Sequence, residues 1–309
     1  MVNEVVKFAV RFGINLDWLR IDPIDIGYED HNFVLTRRSE GWVIKVFRAD
    51  RCQADVLGLV DAIVAARHQG VRHPPLLKDQ MTGSNLSRIG QLAAICMERV
   101  NGQSLFESNS SLGMDDVEDI VDQLCRLRRV RCVRESHIDP WSFRSHFRFR
   151  YETDSVSDPI DQAAIQLSLR RYLTLDESTF ARGFVHGDLV PTNILRGEAL
   201  NLIDFGRCGI RPYVDDIAIL IAQSFFSGEP GCRYDVIEQF VGTLRSQSLL
   251  SDIEFRALPM IIGAVNATYM LAASQLALAS NLPLSGETLY WYERSRNSLE
   301  WSRNWLEGR

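Results

Sequence analysis

No two of the six cysteines in this 309-residue chain are spaced as C-x-x-C. Cys52, Cys96, Cys125, Cys132, Cys208 and Cys232 are scattered, several of them among apolar residues. That excludes the usual zinc and dithiol-redox patterns and predicts small buried thiols in a reducing compartment, the cytoplasm. A basic excess is also missing. Lys and Arg number 34 against 40 Asp and Glu, a net charge of −6. This argues against nucleic acid as the partner, because phosphate backbones need a basic face. There are no repeats and no low-complexity tract. The N-terminal MVNEVVKFAVRFG is too polar for a signal peptide. The most apolar long stretch is residues 257–279, which carries Asn266, Ser274 and Gln275 and has Pro259 near its start. It reads as a buried core helix rather than a membrane span, and no membrane partner is expected.

What remains is an ordinary globular composition, 46% hydrophobic and 24% charged, with a mean hydropathy of −0.10. Residues 2–12 carry a weak helical period. Runs 31–36 and 41–47 read as strands joined by RRSE, and 53–69 as a helix ending at Gly70 before His73-Pro74-Pro75. Residues 86–102 suggest one or two more strands, through Met97, ending at Asn101-Gly102. The order is β-β-α-β-β. After Gly102 the pattern turns helical: 114–134, with Asp115, Asp116, Glu118 and Asp119 early and arginines late, then 160–173, 214–228, 233–247, 252–280 and 286–306. We expect an α+β fold of two lobes. A small lobe, residues 1–98, has an antiparallel sheet and a helix, and a larger helical lobe covers residues 99–309.

The densest chemistry lies at 186–206, HGDLVPTNILRGEALNLIDFG. Asp188 is followed five residues later by Asn193 and sixteen later by Asp204-Phe205-Gly206. Asp188 offers a proton acceptor for a hydroxyl. Asn193 and Asp204 offer hard oxygen ligands for magnesium, whose shell phosphate oxygens would complete. His186 is expected to brace the loop through hydrogen bonds. These are the parts, at the spacing, that phosphoryl transfer requires. Lys45 sits inside the apolar run GWVIKVF, where a buried ammonium needs an anion, such as a phosphate. Gly27 and Asn32 belong to GYEDHN, placed where a phosphate-covering loop would lie, although a glycine-rich pattern is absent. A carboxylate for Lys45 is expected from helix 53–69, with Asp55 preferred over Asp61. At the lobe junction, the carbonyl of Glu98 and the amide of Val100 are expected to bond adenine.

These residues resemble the aminoglycoside phosphotransferase/choline kinase-like superfamily, the small-molecule branch of the protein-kinase-like fold, from about Gly27 to Ala218. HGDLVPTNIL resembles that family's catalytic loop, LIDFGRCG its metal segment, CMERVNGQSL its hinge and WVIKVF its lysine strand. RPYVDDIAIL resembles the segment after the metal site, where Asp216 matches a structural acid. The resemblance implies an ATP- and magnesium-dependent phosphotransferase acting on a hydroxyl of a small molecule, with GTP as an alternative donor. Gly187 stands where protein kinases usually carry arginine, and Val190 where many carry lysine. No APE-type segment follows Asp204. Each departure points to a small-molecule acceptor rather than a protein.

The acceptor is left open between an aminoglycoside-type antibiotic, the leading expectation, and a metabolic amino alcohol, homoserine or methylthioribose-like sugar. A non-catalytic pseudokinase is the reading outside enzymes, against which all four of Lys45, Asp188, Asn193 and Asp204 are present. Acceptor contacts are sought among Glu229, Asp235, Glu238 and Glu293, which would suit an aminoglycoside. They are also sought among Phe225, Phe226, Tyr234, Tyr269, Trp291, Tyr292, Trp301 and Trp305, which could cage a quaternary ammonium. The arginines of 126–150 are expected on a solvated helix face with local acidic pairing.

Overall fold

The computed structural model describes residues 1–24, 30–132, 134, 141–144, 153–226 and 234–307. The chain divides into two compact units, Met1–Gly102 and Gln103–Arg309.

In the first unit, helix α1 (Val2–Arg11) precedes strands β1 (Arg20–Ile24), β2 (His31–Arg37) and β3 (Glu40–Phe47). Helix α2 (Gln53–His68) follows, then β4 (Ser87–Ile89) and β5 (Leu92–Glu98). The strands form one antiparallel sheet in the order β1-β2-β3-β5-β4. Period-2 alternation turns Phe33 and Leu35 of β2 into a core shared with Ile44, Val46, Ala94 and Cys96. Val5, Phe8, Ala9 and Phe12, at helical spacing along and just past α1, join the same core. The last four residues of β3 are all buried, so both faces of that strand end are covered. The sequence pattern misses β1, because RIDPI is polar and contains Pro23. Proline is tolerated there because β1 lies at the sheet edge.

The second unit is mainly helical: α3 (Val117–Leu127), α4 (Pro159–Tyr172), α5 (Val214–Ile219), α6 (Tyr234–Ser246), α7 (Asp252–Ala279) and α8 (Gly286–Glu307). A π-helical turn, Leu220–Ser224, extends α5. Helix α7 starts at a capping box, Ser251 accepting from the Glu254 amide while Glu254 accepts back from Ser251. By length and composition α7 could cross a membrane, but 94% of its apolar window is buried inside the protein. It is the core helix its sequence suggests, packed along α4 and α8. Small strands are set into this unit. β7 (Arg182–Val185) pairs with β10 (Gly209–Pro212), and β6 (Gln103–Ser104), β8 (Ile194–Arg196) and β9 (Leu200–Leu202) form a second sheet.

The arginines of 126–150 are only partly on a solvated face. Arg126 does pair with Asp122 at 2.7 Å. Arg128, however, stacks 4.3 Å over the Tyr213 ring and donates to the Leu249 carbonyl. Arg144 makes a two-pronged pair with Asp215 at 2.7 and 2.8 Å. Long guanidinium arms reach inward to carbonyls and carboxylates far away in sequence, which a local charge pattern does not reveal.

Candidate active site

Four short strands hold the catalytic segments. The β7–β10 register sets Val185 opposite Gly209, so the loop leaving β7 and the turn entering β10 share one end of that pair. The β8–β9 hairpin is extended by the Ile203 amide donating to the Asn193 carbonyl at 3.0 Å. The hairpin therefore brings Asn193 and Asp204, eleven positions apart, to its open end.

His186 is fully buried. Its Nε2 lies 3.0 Å from the Ile203 carbonyl, and its ring packs 4.5 Å from that of Phe205. These contacts tie the loop to the Asp204 turn. Beneath them, the Asp216 carboxylate accepts the amides of His186 at 2.8 Å and Gly187 at 2.7 Å. Burial pushes the Asp216 carboxyl up to about 6; the two amides and Arg211 pull the other way, and Asp215 adds to the rise. Gly187 has φ +79°. A Cβ there would lie 2.6 Å from the Arg207 carbonyl and 1.8 Å from Arg211 Nη2. No side chain fits, and the arginine of protein kinases could not stand here.

Asp188 is the meeting point. Asn193 Nδ2 donates to its Oδ2 at 2.8 Å, Arg207 Nη1 to its Oδ1 at 2.8 Å, and the Tyr269 hydroxyl to Oδ1 at 3.3 Å. An ionised carboxylate accepts all three. With its nitrogen engaged, Asn193 presents Oδ1 as its other face, touched by the Thr192 hydroxyl at 3.3 Å. Asp204 takes a left-handed backbone, φ +58° and ψ +74°, and accepts the Gly206 amide at 3.2 Å. Such a conformation is costly for a residue with a Cβ and is found where a side chain must be aimed. Arg134 wraps the carbonyls behind this turn: Nη1 reaches those of Gly206 at 3.1 Å and Cys208 at 2.8 Å, and Nη2 reaches Gly206 at 3.1 Å. Nothing in the sequence marked Arg134, Arg207 or Tyr269 for these contacts, beyond Tyr269 being one aromatic among eight.

Of the expected acceptor aromatics, Tyr269 touches Asp188, and Trp291 lies 5.7 Å from the Tyr269 ring. Trp141 flanks Tyr269 at 5.5 Å, and Phe106 and Tyr290 flank Trp291 at 6.2 and 5.0 Å. None of these three was anticipated. Phe225, Phe226 and Trp301 are buried, Trp305 stacks on Trp301, and Tyr292 donates to Asp161 at 2.7 Å. Tyr234, Asp235, Glu238 and Glu293 are exposed. Glu229 lies outside the described residues.

In the first unit, Lys45 is nearly buried, its side chain 8% exposed, and pairs with Asp30 at 3.4 Å. This corrects the expected pairing with helix α2. Asp55 is taken by Arg51 at 2.9 Å, one helical turn away, and Arg51 itself bonds Asp30 at 2.6 Å. Asp55 thus joins the Lys45 network through Arg51 and Asp30, while Asp61 is exposed. Asn32 lies directly opposite Lys45 in the β2–β3 register and is half-buried. Gly27 lies outside the described residues. The Glu98 amide donates to the Pro75 carbonyl at 2.9 Å. Pro75 has no N–H to return, so the Glu98 carbonyl faces that edge without a ladder donor. The Val100 amide makes no backbone hydrogen bond among the described residues. Among the described residues, this carbonyl and this amide, two residues apart, are thus left without backbone partners.

Among the described residues no three His, Cys, Asp or Glu are grouped to hold a metal. The donor set at Asn193 and Asp204 fits magnesium, which takes one or two protein oxygens and relies on phosphate and water for the rest.

An antiparallel sheet with two helices, followed by a helical unit carrying a catalytic loop and an aspartate turn, defines the protein-kinase-like fold in its small-molecule form. Within it, a family model described as the phosphotransferase enzyme family matches residues 20–246, and the chain belongs to that family. Solved structures of similar fold include a microcompartment-associated aminopropanol kinase, with 16% identity, TM-score 0.74, and 100% of this chain and 98% of that one covered. The amicoumacin kinase hAmiN, in complex with AMP-PNP, Ca2+ and Ami, has 16% identity, TM-score 0.67, and coverages of 96% and 92%. Choline kinase from Cryptosporidium parvum has 15% identity, TM-score 0.65, and coverages of 100% and 97%. At these identities the likeness shows the fold. No curated protein matches the chain in sequence.

Proposed function

We propose that this phosphotransferase moves the γ-phosphoryl group of ATP to a hydroxyl of a small molecule, with Asp188 as the base. The observation that carries the reading is the Asp188 carboxylate held by Asn193, Arg207 and Tyr269 while still 16% exposed. Asp188 orients the acceptor hydroxyl and takes its proton. The acceptor oxygen then bonds to the γ-phosphorus, the bond to the bridging oxygen breaks, and ADP leaves. His186 and Asp216 hold the loop that carries Asp188. Asn193 Oδ1 and the Asp204 carboxylate would hold magnesium, which when bound with the nucleotide neutralises phosphate charge. From the first unit we assign Lys45 and Asn32 to the phosphates, and the Glu98 carbonyl and Val100 amide to the adenine edge. AMP-PNP in the amicoumacin kinase structure supports ATP as donor. We place the enzyme in the cytoplasm, where free thiols such as Cys52 and Cys125 persist.

Two acceptor classes are supported by the neighbours, antibiotics and amino alcohols. Tyr269, packed between Trp141 and Trp291, puts an aromatic wall beside Asp188. That favours a compact metabolic acceptor over a polycationic aminoglycoside. An ADP-release assay with MgATP and MgGTP, run against aminoglycosides, macrolides, choline, ethanolamine, aminopropanol, homoserine and methylthioribose, tests the reading. A hit that disappears in Asp188→Ala supports it. ADP release that persists in that variant contradicts it.

A further inference from the structure

Of the five arginines between positions 126 and 134, only Arg134 is buried, at 6% exposed. Its guanidinium lies against backbone oxygens of the turn that follows Asp204. Nη1 reaches the carbonyls of Phe205 at 3.4 Å, Gly206 at 3.1 Å and Cys208 at 2.8 Å, and Nη2 returns to Gly206 at 3.1 Å. Cys208 Sγ also lies 3.3 Å from Nη1. The Arg134 carbonyl accepts the Ile210 amide at 3.2 Å. One residue thus grips a stretch of chain that begins 71 positions later. The reason is local. Phe205–Arg207 is a single 3-10 turn, and the carbonyls at the end of so short a helix have few internal donors. A buried carbonyl without a donor is costly, and a cationic donor suits the C-terminal end of a helix. Methionine would fill the same space and leave those carbonyls unmet.

Two links carry this grip to the chemistry. The first runs to Asp204. The peptide between Phe205 and Gly206 is planar and trans, so its carbonyl and its amide point opposite ways. The carbonyl faces Arg134, and the amide donates to Asp204 Oδ1 at 3.2 Å. The next carbonyl, that of Gly206, takes both guanidinium nitrogens. Holding these two oxygens aims the amide that orients the Asp204 carboxylate. Asp204 itself sits at φ +58°, a conformation its Cβ disfavours, so the turn needs support from outside. The second link runs to the base. Arg207, the next residue, places Nη1 on Asp188 Oδ1 at 2.8 Å, and its carbonyl accepts Arg211 Nη2 at 2.7 Å. A turn that shifted on losing Arg134 would move Asp204 and the Arg207 contact together.

We infer that Arg134 is a positioning residue of the phosphoryl-transfer site: it locks the turn at 205–208 so that the Asp204 carboxylate is aimed for magnesium before the ion arrives. This rests on the phosphotransferase reading above. Arg134 is a cation and no magnesium ligand; it acts through the Gly206 peptide.

The test compares wild type, Arg134→Met, Arg134→Lys and Asp204→Ala. Calorimetry measures AMP-PNP affinity with magnesium and with a chelator, and the ratio of the two is the magnesium gain. Hydrogen exchange of the Gly206 amide is followed in the metal-free protein, and thermal melts check folding. Arg134→Met should lower the magnesium gain by at least about tenfold, the size of a hydrogen bond to a charged group, while affinity in chelator stays at the wild-type value. Its Gly206 amide should exchange faster. Arg134→Lys, which can reach only part of the carbonyl set, should recover part of the gain. If Arg134→Met does not fold, Arg134→Lys carries the comparison, with an intermediate gain expected. A lower melting temperature with an unchanged magnesium gain would leave Arg134 a packing residue and overturn the inference. Equal losses with magnesium and with chelator would do the same. A gain lost in Asp204→Ala but kept in Arg134→Met removes the role of Arg134 alone and leaves the phosphotransferase reading in place. No magnesium gain in wild type, or a full gain in Asp204→Ala, overturns the metal assignment and the inference with it.

Discussion

Asp216 should make turnover acid-sensitive without making the fold acid-sensitive. Its two oxygens each hold one amide of the catalytic loop, at 2.8 and 2.7 Å. A protonated carboxyl cannot accept at both, so one of the His186 and Gly187 amides is left without its acceptor. A buried unsatisfied donor costs about 1–3 kcal/mol. If that cost appears as a displaced Asp188, it slows kcat roughly 5- to 150-fold. The folded carboxyl titrates at about 6, against 3.8 for the free group. A raised acid binds its proton more tightly in the folded state. Its contribution to stability is therefore fully present below pH 3.8 and is lost as pH rises through about 6. Activity runs the other way, rising as the carboxylate forms. The assay is a kcat profile from pH 5 to 8 for wild type and Asp216→Asn, with thermal melts at each pH. Wild type should show an acid limb near pH 6. The variant, which can accept only one amide at any pH, should lack that limb and stay near the wild-type acid plateau. An identical limb in both proteins would refute the reasoning.

Other outcomes follow from the same geometry. Gly187→Ala forces a Cβ against the Arg207 carbonyl at φ +79°; strain and overpacking together cost about 2–4 kcal/mol, seen as a lower melting temperature and a lower kcat. Asp204→Ala weakens nucleotide binding in magnesium while leaving metal-free nucleotide binding intact; unchanged MgATP affinity by calorimetry would remove Asp204 from the metal role. Burial would raise the Asp79 carboxyl, but Arg11, Ser87 and the amides of Met81 and Thr82 outweigh it and hold it at about 2. Its stabilising contribution is present above pH 3.8 and disappears as pH falls through about 2. Asp79→Asn should therefore destabilise the protein at pH 7 by thermal melt, with the difference shrinking toward pH 2.

Much of the fold was legible because its elements are strongly periodic. Phe33 and Leu35 alternate, and residues 257–279 are apolar apart from a few polar positions such as Asn266, Ser274 and Gln275. Short strands such as β6 and β8 were not legible, since two or three residues held by distant partners leave no period. The catalytic loop could be read because its chemistry fixes residue types at fixed offsets. Two of its supports, His186 and Asp216, could be read as well, but the partners of other site residues could not. Asp30 reaches Lys45 from a segment that reads as an ordinary polar turn, and Arg51 draws Asp55 away. Arg134 and Arg294 reach backbone carbonyls more than 70 positions away, and one arginine in a helical pattern looks the same whether its head is in water or in the core.

The most direct test of the account is Asp188→Ala, assayed for acceptor-dependent ADP release and for MgATP affinity by calorimetry in the same preparation. The account predicts turnover reduced to background with MgATP affinity within a few-fold of wild type. Near-normal turnover in that variant would contradict it.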